Sequence, residues 1–207
     1  MLGLSGLAAQ TGGRGDMRKR RTSSDTKTAY HESGHALVSF LMKRGVREVT
    51  IIPADEFLGL CKNSSLGKRA IAMLECGFDG EGRRRTTARR CIMTSQAGPI
   101  AEEIACGKHR HWNRGCYQDF YKIADMASYI QPEPDESGAL IDSLWEETRK
   151  LLLAPENWAA VEALTAELLV HRRLGQKRVR EIIKGALGRP LQSVATQAEG
   201  RNDYEEG

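Results

Sequence analysis

Two histidines and a glutamate share one predicted helix near the start of the chain. The segment at 26–43, which Asp25 would cap, begins TKTAYHESGHALVSFLM, and its apolar residues recur at helical spacing. Residues four apart lie one above the other on a helix, so the imidazoles of His31 and His35 can reach one metal ion. Glu32 lies about 100° round the same helix, within reach of a water molecule on that metal. The HExxH motif therefore predicts a zinc site.

The same motif predicts hydrolysis. Zinc lowers the pKa of its bound water, and Glu32 would take the water's proton and later deliver it to a leaving amine. HExxH also occurs by chance in proteins that bind no metal, but Gly34 argues against chance here. A glycine inside a helix costs about 0.5–1 kcal/mol relative to alanine. Together with the small Ser33 and Ala36, it indicates that another segment packs closely against this turn.

A catalytic zinc ion needs a third protein ligand and one open coordination position. Val38 and Leu41 stand where the metzincin extension of HExxH requires glycine and histidine, so that class is excluded. The third ligand must lie farther along the chain, and the candidates are Glu102, Glu103, His109, His111 and Asp119. The two later histidines are most simply loop residues. Asp119 follows a glycine near the start of a predicted helix, where it could bind a metal or cap that helix.

The remaining pattern predicts a mostly α (α+β) fold. Alternating, β-branched residues at 46–53 indicate a strand, and 58–62 could pair with it to form a small sheet beside the HExxH helix. A mobile loop is expected at 63–85. Further helices are expected at 86–106, bent or divided at Gly98-Pro99, then at 117–130, at 135–153, from Pro155 onward and at 176–187, so that the C-terminal third forms a helical bundle.

One folded unit with polar ends is expected. Residues 1–24 are predicted to be disordered, 25–188 to form a zinc metallopeptidase-like domain, and 189–207 to form a polar C-terminal tail. The short apolar piece at the start precedes its positive charges, the reverse of a secretory signal. No apolar run reaches the length of a membrane span. We therefore expect a cytoplasmic protein with no membrane partner.

Arginine-rich clusters at 18–21 and 83–90 provide most of the local positive charge, and the net charge is +4. Such runs can bind nucleic acid. No aromatic residue is interleaved with either cluster, and no nucleic-acid fold signature accompanies them. The pattern therefore favours a solvated basic surface over nucleic-acid binding.

Several segments, in order, resemble the peptidase domain of FtsH-type zinc metalloproteases. They are TAYHESGHALV, VTIIP, QAGPIAEEIACG, RGCYQDFYKIADMA and LWEETRKLLLAPENWAAVEALTAELL, and the match covers about residues 25 to 187. The resemblance implies that His31 and His35 are zinc ligands, that Glu32 is the base and that Asp119 is the third ligand. Glu102 or Glu103 would then orient a histidine from behind the metal, or lie on an exposed helix face.

The resemblance implies a zinc-dependent metalloendopeptidase that cleaves peptides or unfolded proteins. The chain has no GxxxxGK[ST] phosphate-binding loop, so ATP-driven unfolding would need a separate ATPase as partner. An exposed edge of the strand at 46–53 or 58–62 could hold an extended peptide by main-chain hydrogen bonds. Related domains form rings, so the resemblance also implies that this chain could form a homo-oligomer. The alternative hypothesis is a catalytically inactive peptidase-like binding or regulatory module.

Overall fold

The computed structural model of the chain describes residues 23–54, 58–63, 81–107 and 116–188. Six helices and three strands lie in these ranges. In chain order they are α1 Ser24–Leu41, β1 Val46–Thr50, β2 Leu60–Asn63, α2 Glu81–Cys106, α3 Tyr117–Ile130, α4 Pro134–Leu153, α5 Pro155–His171, β3 Arg173–Gly175 and α6 Gln176–Leu187. The expected mostly α fold with a small sheet and a helical C-terminal third is confirmed. Across the ranges described, no helix combines the length and the apolar character needed to cross a bilayer.

The helix that carries HExxH is α1, and its cap differs from the expectation. The Ser23 hydroxyl accepts a hydrogen bond from the Thr26 amide at 3.2 Å, so Ser23 is the N-terminal cap. The prediction that Asp25 caps this helix is therefore wrong. Asp25 lies instead in the first turn, where its negative charge suits the helix dipole, and it pairs with Arg172 at 2.8 Å.

A three-stranded antiparallel sheet packs against α1, with the strands in the order β2-β1-β3. Val49 of β1 lies opposite Cys61 of β2 and Leu174 of β3. The predicted pairing of 58–62 with 46–53 is confirmed. The sequence pattern did not predict β3, because three residues are too few to show an alternation. Since β3 and β2 pair with both sides of β1, the prediction that β1 could offer an exposed edge is wrong.

Helix α2 is one element with Pro99 inside it. It begins at Glu81, so the expectation of a loop over residues 81–85 is wrong, and so is the expected start at residue 86. Arginine is abundant in this stretch and is a good helix former, which a reading based on glycine content overlooks. Gly107, with a φ of +83°, ends the helix as predicted. The remainder of the expected loop, at 64–80, lies outside the described residues.

Helix α1 packs on both α2 and α5 in the core. Leu37 of α1 is fully buried, together with Ile92 and Ile100 of α2 and with Leu164 and Leu168 of α5. A buried hydrogen bond also joins α5 to the HExxH turn, because the Thr165 hydroxyl donates to the Ser33 hydroxyl at 3.1 Å. The HExxH turn is therefore held between two helices and has little freedom to move.

Gly34 marks a close approach of α1 to α2. A Cβ at this position would collide with the carbonyl oxygen of Ala97 and lie 2.7 Å from the Cβ of Ala101. Only a residue without a side chain allows this spacing. The prediction that another segment packs closely against this turn is thus confirmed, and the segment is α2.

The close approach of α1 to α2 predicts that Gly34→Ala destabilises the fold. Although alanine has the higher helix propensity, overpacking against the α2 backbone is expected to lower the free energy of unfolding by about 1–3 kcal/mol. Gly138→Ala is the matched control, since Gly138 is exposed in α4 and an added Cβ would meet nothing within 4 Å. That control is expected to gain about 0.5–1 kcal/mol. Urea unfolding measures both, and an equal gain for the two variants would contradict the close approach.

Candidate metal centre

Three acceptor atoms meet in a buried cluster formed by α1 and α3. Nε2 of His31 lies 3.1 Å from Nε2 of His35. Oδ2 of Asp119 lies 3.2 Å from each of these nitrogens. The two histidines are only 7% and 8% exposed, and the Asp119 side chain is 13% exposed. Helix α1 supplies both imidazoles one turn apart, and the first turn of α3 supplies the carboxylate.

Contacts behind the two imidazoles determine which nitrogens carry protons. Nδ1 of His35 lies 2.7 Å from the Thr94 carbonyl oxygen, which can only accept, so this nitrogen donates. Nδ1 of His31 lies 3.4 Å from Oε2 of Glu102, and a carboxylate is also an acceptor. In the neutral imidazoles, both Nε2 atoms therefore carry lone pairs that point at Asp119. Such a set of facing acceptors needs a cation between them.

The donor set fits a zinc ion. Zinc in proteins is tetrahedral with bonds of about 2.0–2.1 Å to histidine nitrogen and similar bonds to carboxylate oxygen, which places neighbouring ligand atoms about 3.3 Å apart. The three separations in this cluster are 3.1, 3.2 and 3.2 Å. Two imidazoles and one carboxylate are also a common ligand set of catalytic zinc.

The pKa values of the cluster show how strongly it attracts positive charge. Burial acts to raise the pKa of Asp119, but the charge of His35 and hydrogen bonds from both imidazoles hold that pKa well below its usual range. Burial acts to lower the pKa of His31, yet hydrogen bonds with Asp119, Cys116 and Glu102 raise it well above its ordinary value. Without a metal, protons on the imidazoles therefore supply the positive charge that balances Asp119. A metal ion must displace these protons in order to bind.

Glu32 is buried beside the histidines and is 6% exposed. Burial raises the pKa of its carboxyl, while the positive charges of His31 and His35 act to lower it. Gly59, just before β2, lies against this side chain, since a Cβ there would be 2.9 Å from Oε1 of Glu32. A carboxyl with a raised pKa is suited to accept a proton and return it near neutral pH.

One row of residues on α2 lines the back of the cluster. Thr94, Gly98 and Glu102 follow one another at intervals of four, so they share a helix face. Gly98 lies between Thr94, which contacts His35, and Glu102, which contacts His31. It leaves room for the ligand nitrogens, because a Cβ there would collide with Nε2 of His35 and lie 2.7 Å from Nε2 of His31. Any side chain at position 98 would thus fill space next to the two nitrogens.

The structure brings most of the sequence-predicted residues together. Glu102 contacts His31, but Glu103 lies outside the cluster and pairs with Arg149 of α4 at 3.1 Å. His109 and His111 lie outside the described residues. Sequence reasoning missed the Thr94 carbonyl, which leaves no signature because every residue has one.

Sequence reasoning also missed the roles of Gly98 and Cys116. In the sequence, Gly98 is expected only to bend or divide a helix together with Pro99. Cys116 is buried just before α3, and its Sγ lies 4.0 Å from Nδ1 of His31. The sequence signal for a role of Cys116 near the metal is its position directly before the helix that carries Asp119.

A second set of ligand atoms also includes His31. His31, Glu102 and Cys116 offer one atom each, and these atoms lie within 4.8 Å of one another. Across the described ranges, two possible metal sites are found: this set and the set of His31, His35 and Asp119. The second set would use Nδ1 of His31, which the Glu102 carboxylate keeps protonated. The first set uses the free lone pairs of two imidazoles, so it is the better metal site.

The contact behind His31 predicts a difference between two adjacent glutamates. Glu102→Gln removes the charge that fixes the His31 tautomer, and zinc affinity is expected to fall by about 10–100-fold. Glu103→Gln is the matched control, because Glu103 pairs with Arg149 instead, and its zinc affinity should equal that of the parent chain. Competition with a zinc-chelating dye measures both. Equal affinities in the two variants would contradict the role of Glu102.

Comparisons with known proteins identify the family of the chain. The model of peptidase family M41 matches residues 18–131, more than half of the chain. The ATP-dependent zinc metalloprotease FtsH of Opitutus terrae is 29% identical over 89% of this chain and 31% of its own length. The human ATP-dependent zinc metalloprotease YME1L1 is 28% identical over 77% of this chain and 19% of its own length. The chain thus spans less than a third of these relatives, and it belongs to peptidase family M41.

Proposed function

We propose that this chain is a zinc-dependent metalloendopeptidase that cleaves peptides and unfolded proteins. One observation carries the proposal: acceptor atoms of His31, His35 and Asp119 converge with the mutual separations that zinc requires. Membership of a peptidase family and the zinc metalloprotease names of the relatives support it.

In this proposal, His31, His35 and Asp119 hold the ion and leave one coordination position open. When bound, zinc supplies Lewis-acid activation of a water molecule and of the peptide carbonyl. Glu102 and the Thr94 carbonyl keep the two imidazoles in the tautomer that presents Nε2. This support from α2 lets the ligands keep their positions when substrate enters.

Glu32 is the proposed general base. Its ionised carboxylate takes a proton from the attacking water, and the resulting acid gives that proton to the leaving nitrogen of the peptide. The side chain is buried among groups that hold its pKa above the ordinary value, which favours return of the proton. Because Glu32 must be ionised at the start, cleavage is expected to decline as the pH falls through this raised pKa.

Substrate is proposed to bind along β2. Of the strands that the structure describes, β2 pairs with β1 on one side, and Gly59 just before it contacts Glu32. An extended peptide added to β2 would pass the base and be held by main-chain hydrogen bonds, which are independent of its sequence. Peptides and unfolded chains can adopt this conformation directly. Folded substrates would first need ATP-driven unfolding, a proposal supported by the ATP-dependent names of the relatives.

The proposed base predicts a clear separation of two measurements. Glu32→Gln should lower casein cleavage by about 100-fold or more, because general-base catalysis is lost, while the zinc content stays at one ion per chain. His35→Ala should lose both zinc and cleavage, because one ligand is gone. Metal analysis and a fluorescent casein assay on the same samples measure the two quantities.

Two outcomes would contradict the proposal. Parent-level cleavage by Glu32→Gln would show that another group is the base. One zinc ion per chain with no cleavage by the parent protein of casein or unfolded peptides would support the alternative hypothesis, an inactive peptidase-like binding module.

A further inference from the structure

Gly59 packs against two side chains that share one face of α1. Thr28 and Glu32 are four residues apart, so they lie one above the other on the helix. Gly59 contacts both of them, just before β2 begins at Leu60. A Cβ at position 59 would lie 2.5 Å from Cγ2 of Thr28 and 2.9 Å from both Cγ and Oε1 of Glu32. The main chain at Gly59 therefore packs directly on the proposed base.

The orientation of the Glu32 carboxylate comes from packing. Glu32 is only 6% exposed, yet among the residues that the structure describes no donor forms a hydrogen bond with its carboxylate. The positive charges of His31 and His35 attract it, but an attraction between charges does not fix a direction. Both oxygens are thus available to water and substrate, and the atoms packed around the side chain hold it in place. Gly59 provides one of these contacts.

Thr28 limits how the structure can respond to a side chain at position 59. The Thr28 hydroxyl donates a hydrogen bond to the Ser24 carbonyl oxygen at 3.1 Å, and its methyl group Cγ2 contacts Gly59. A β-branched side chain has few rotamers in a helix, so this methyl group cannot easily move away. The longer Glu32 side chain can rotate instead. An added side chain would therefore displace the carboxylate of Glu32.

We propose that Gly59 is a positioning residue for the base, because its lack of a side chain leaves the Glu32 carboxylate its place beside the metal cluster. The inference rests on the proposed function of Glu32. Ordinary contacts of a Cβ begin at 3.4 Å, so a side chain at position 59 would displace Oε1 of Glu32 from 2.9 Å by about half an ångström. A misplacement of about 1 Å can lower a catalytic rate by about 100-fold. The shift is thus large enough to affect proton transfer.

Gly59→Ala in the zinc-loaded chain tests this role. Its kcat for casein is expected to fall by about 10–100-fold, because the base is displaced, while the zinc content stays at that of the parent chain. Gly138→Ala is the matched control, since an added Cβ there meets nothing within 4 Å, and it should cleave casein at the parent rate. Equal kcat values for Gly59→Ala and an active parent chain would overturn the proposal.

A second substitution distinguishes displacement of the base from displacement of the strand. Thr28→Ser removes the methyl group that would collide with the new Cβ and keeps the hydroxyl that bonds to Ser24. The double variant Thr28→Ser/Gly59→Ala should therefore recover the urea resistance and the KM of the parent chain. Its kcat should stay low, because the contact of the Cβ with Glu32 remains. Recovery of kcat in this double variant would overturn the proposal, since the loss would then come from the strand.

Two further measurements connect the effect to Glu32. In a Glu32→Gln background, Gly59→Ala should lower the residual rate by less than about twofold, because the displaced group no longer acts as a base. A full additional loss would show that Gly59 acts elsewhere.

A dipeptide hydroxamate gives a readout without turnover, since its hydroxyl can donate to Glu32 when it binds the zinc-loaded chain. Gly59→Ala should weaken its binding by about tenfold, and an unchanged affinity would contradict the positioning role. A parent chain that binds the hydroxamate but cleaves neither casein nor peptides would contradict the proposed function. In that case, the hydroxamate affinity of Gly59→Ala still decides the role of Gly59.

Discussion

The close contact between α1 and α2 is the constraint on which the metal cluster depends. Gly34 lets the α2 backbone approach the HExxH turn, and Gly98 keeps the space beside the imidazoles free of a side chain. The same approach brings the Thr94 carbonyl to His35 and the Glu102 carboxylate to His31. One helix contact thus sets the spacing, the tautomers and the room for an ion. Asp119 then completes the cluster from a third helix.

The sequence revealed the part of this site that depends on local spacing. Histidines four apart on a helix, with a glutamate beside the first, can be recognised without tertiary information. Asp119 is 84 residues beyond His35, so only the family resemblance singled it out among five candidates. The Thr94 carbonyl was out of reach, because a main-chain acceptor has no sequence signature. Strand β3 is too short to show an alternation, so only its pairing with β1 defines it. The early start of α2 differs from the expectation because the arginines there favour a helix more than the nearby glycines oppose it.

Two regions of α1 have different chemistry. In the middle of the helix, buried acceptors face one another and attract a cation. Beyond its C-terminal end, Lys43, Arg44, Arg180 and Lys184 line an apolar groove, and all but Arg44 are exposed to solvent. Only the acceptors of the metal cluster are buried, so only there is it costly to leave the groups without a partner.

X-ray absorption spectroscopy of the zinc-loaded chain tests the central claim most directly, because it reports the atoms bound to the ion. If His31, His35 and Asp119 hold the ion, four nitrogen and oxygen ligands are expected at about 2.0–2.2 Å, with outer scattering from two imidazoles. A zinc–sulfur distance of about 2.3 Å would place the ion at Cys116 instead. That result would contradict the assignment of His31, His35 and Asp119 as the ligands.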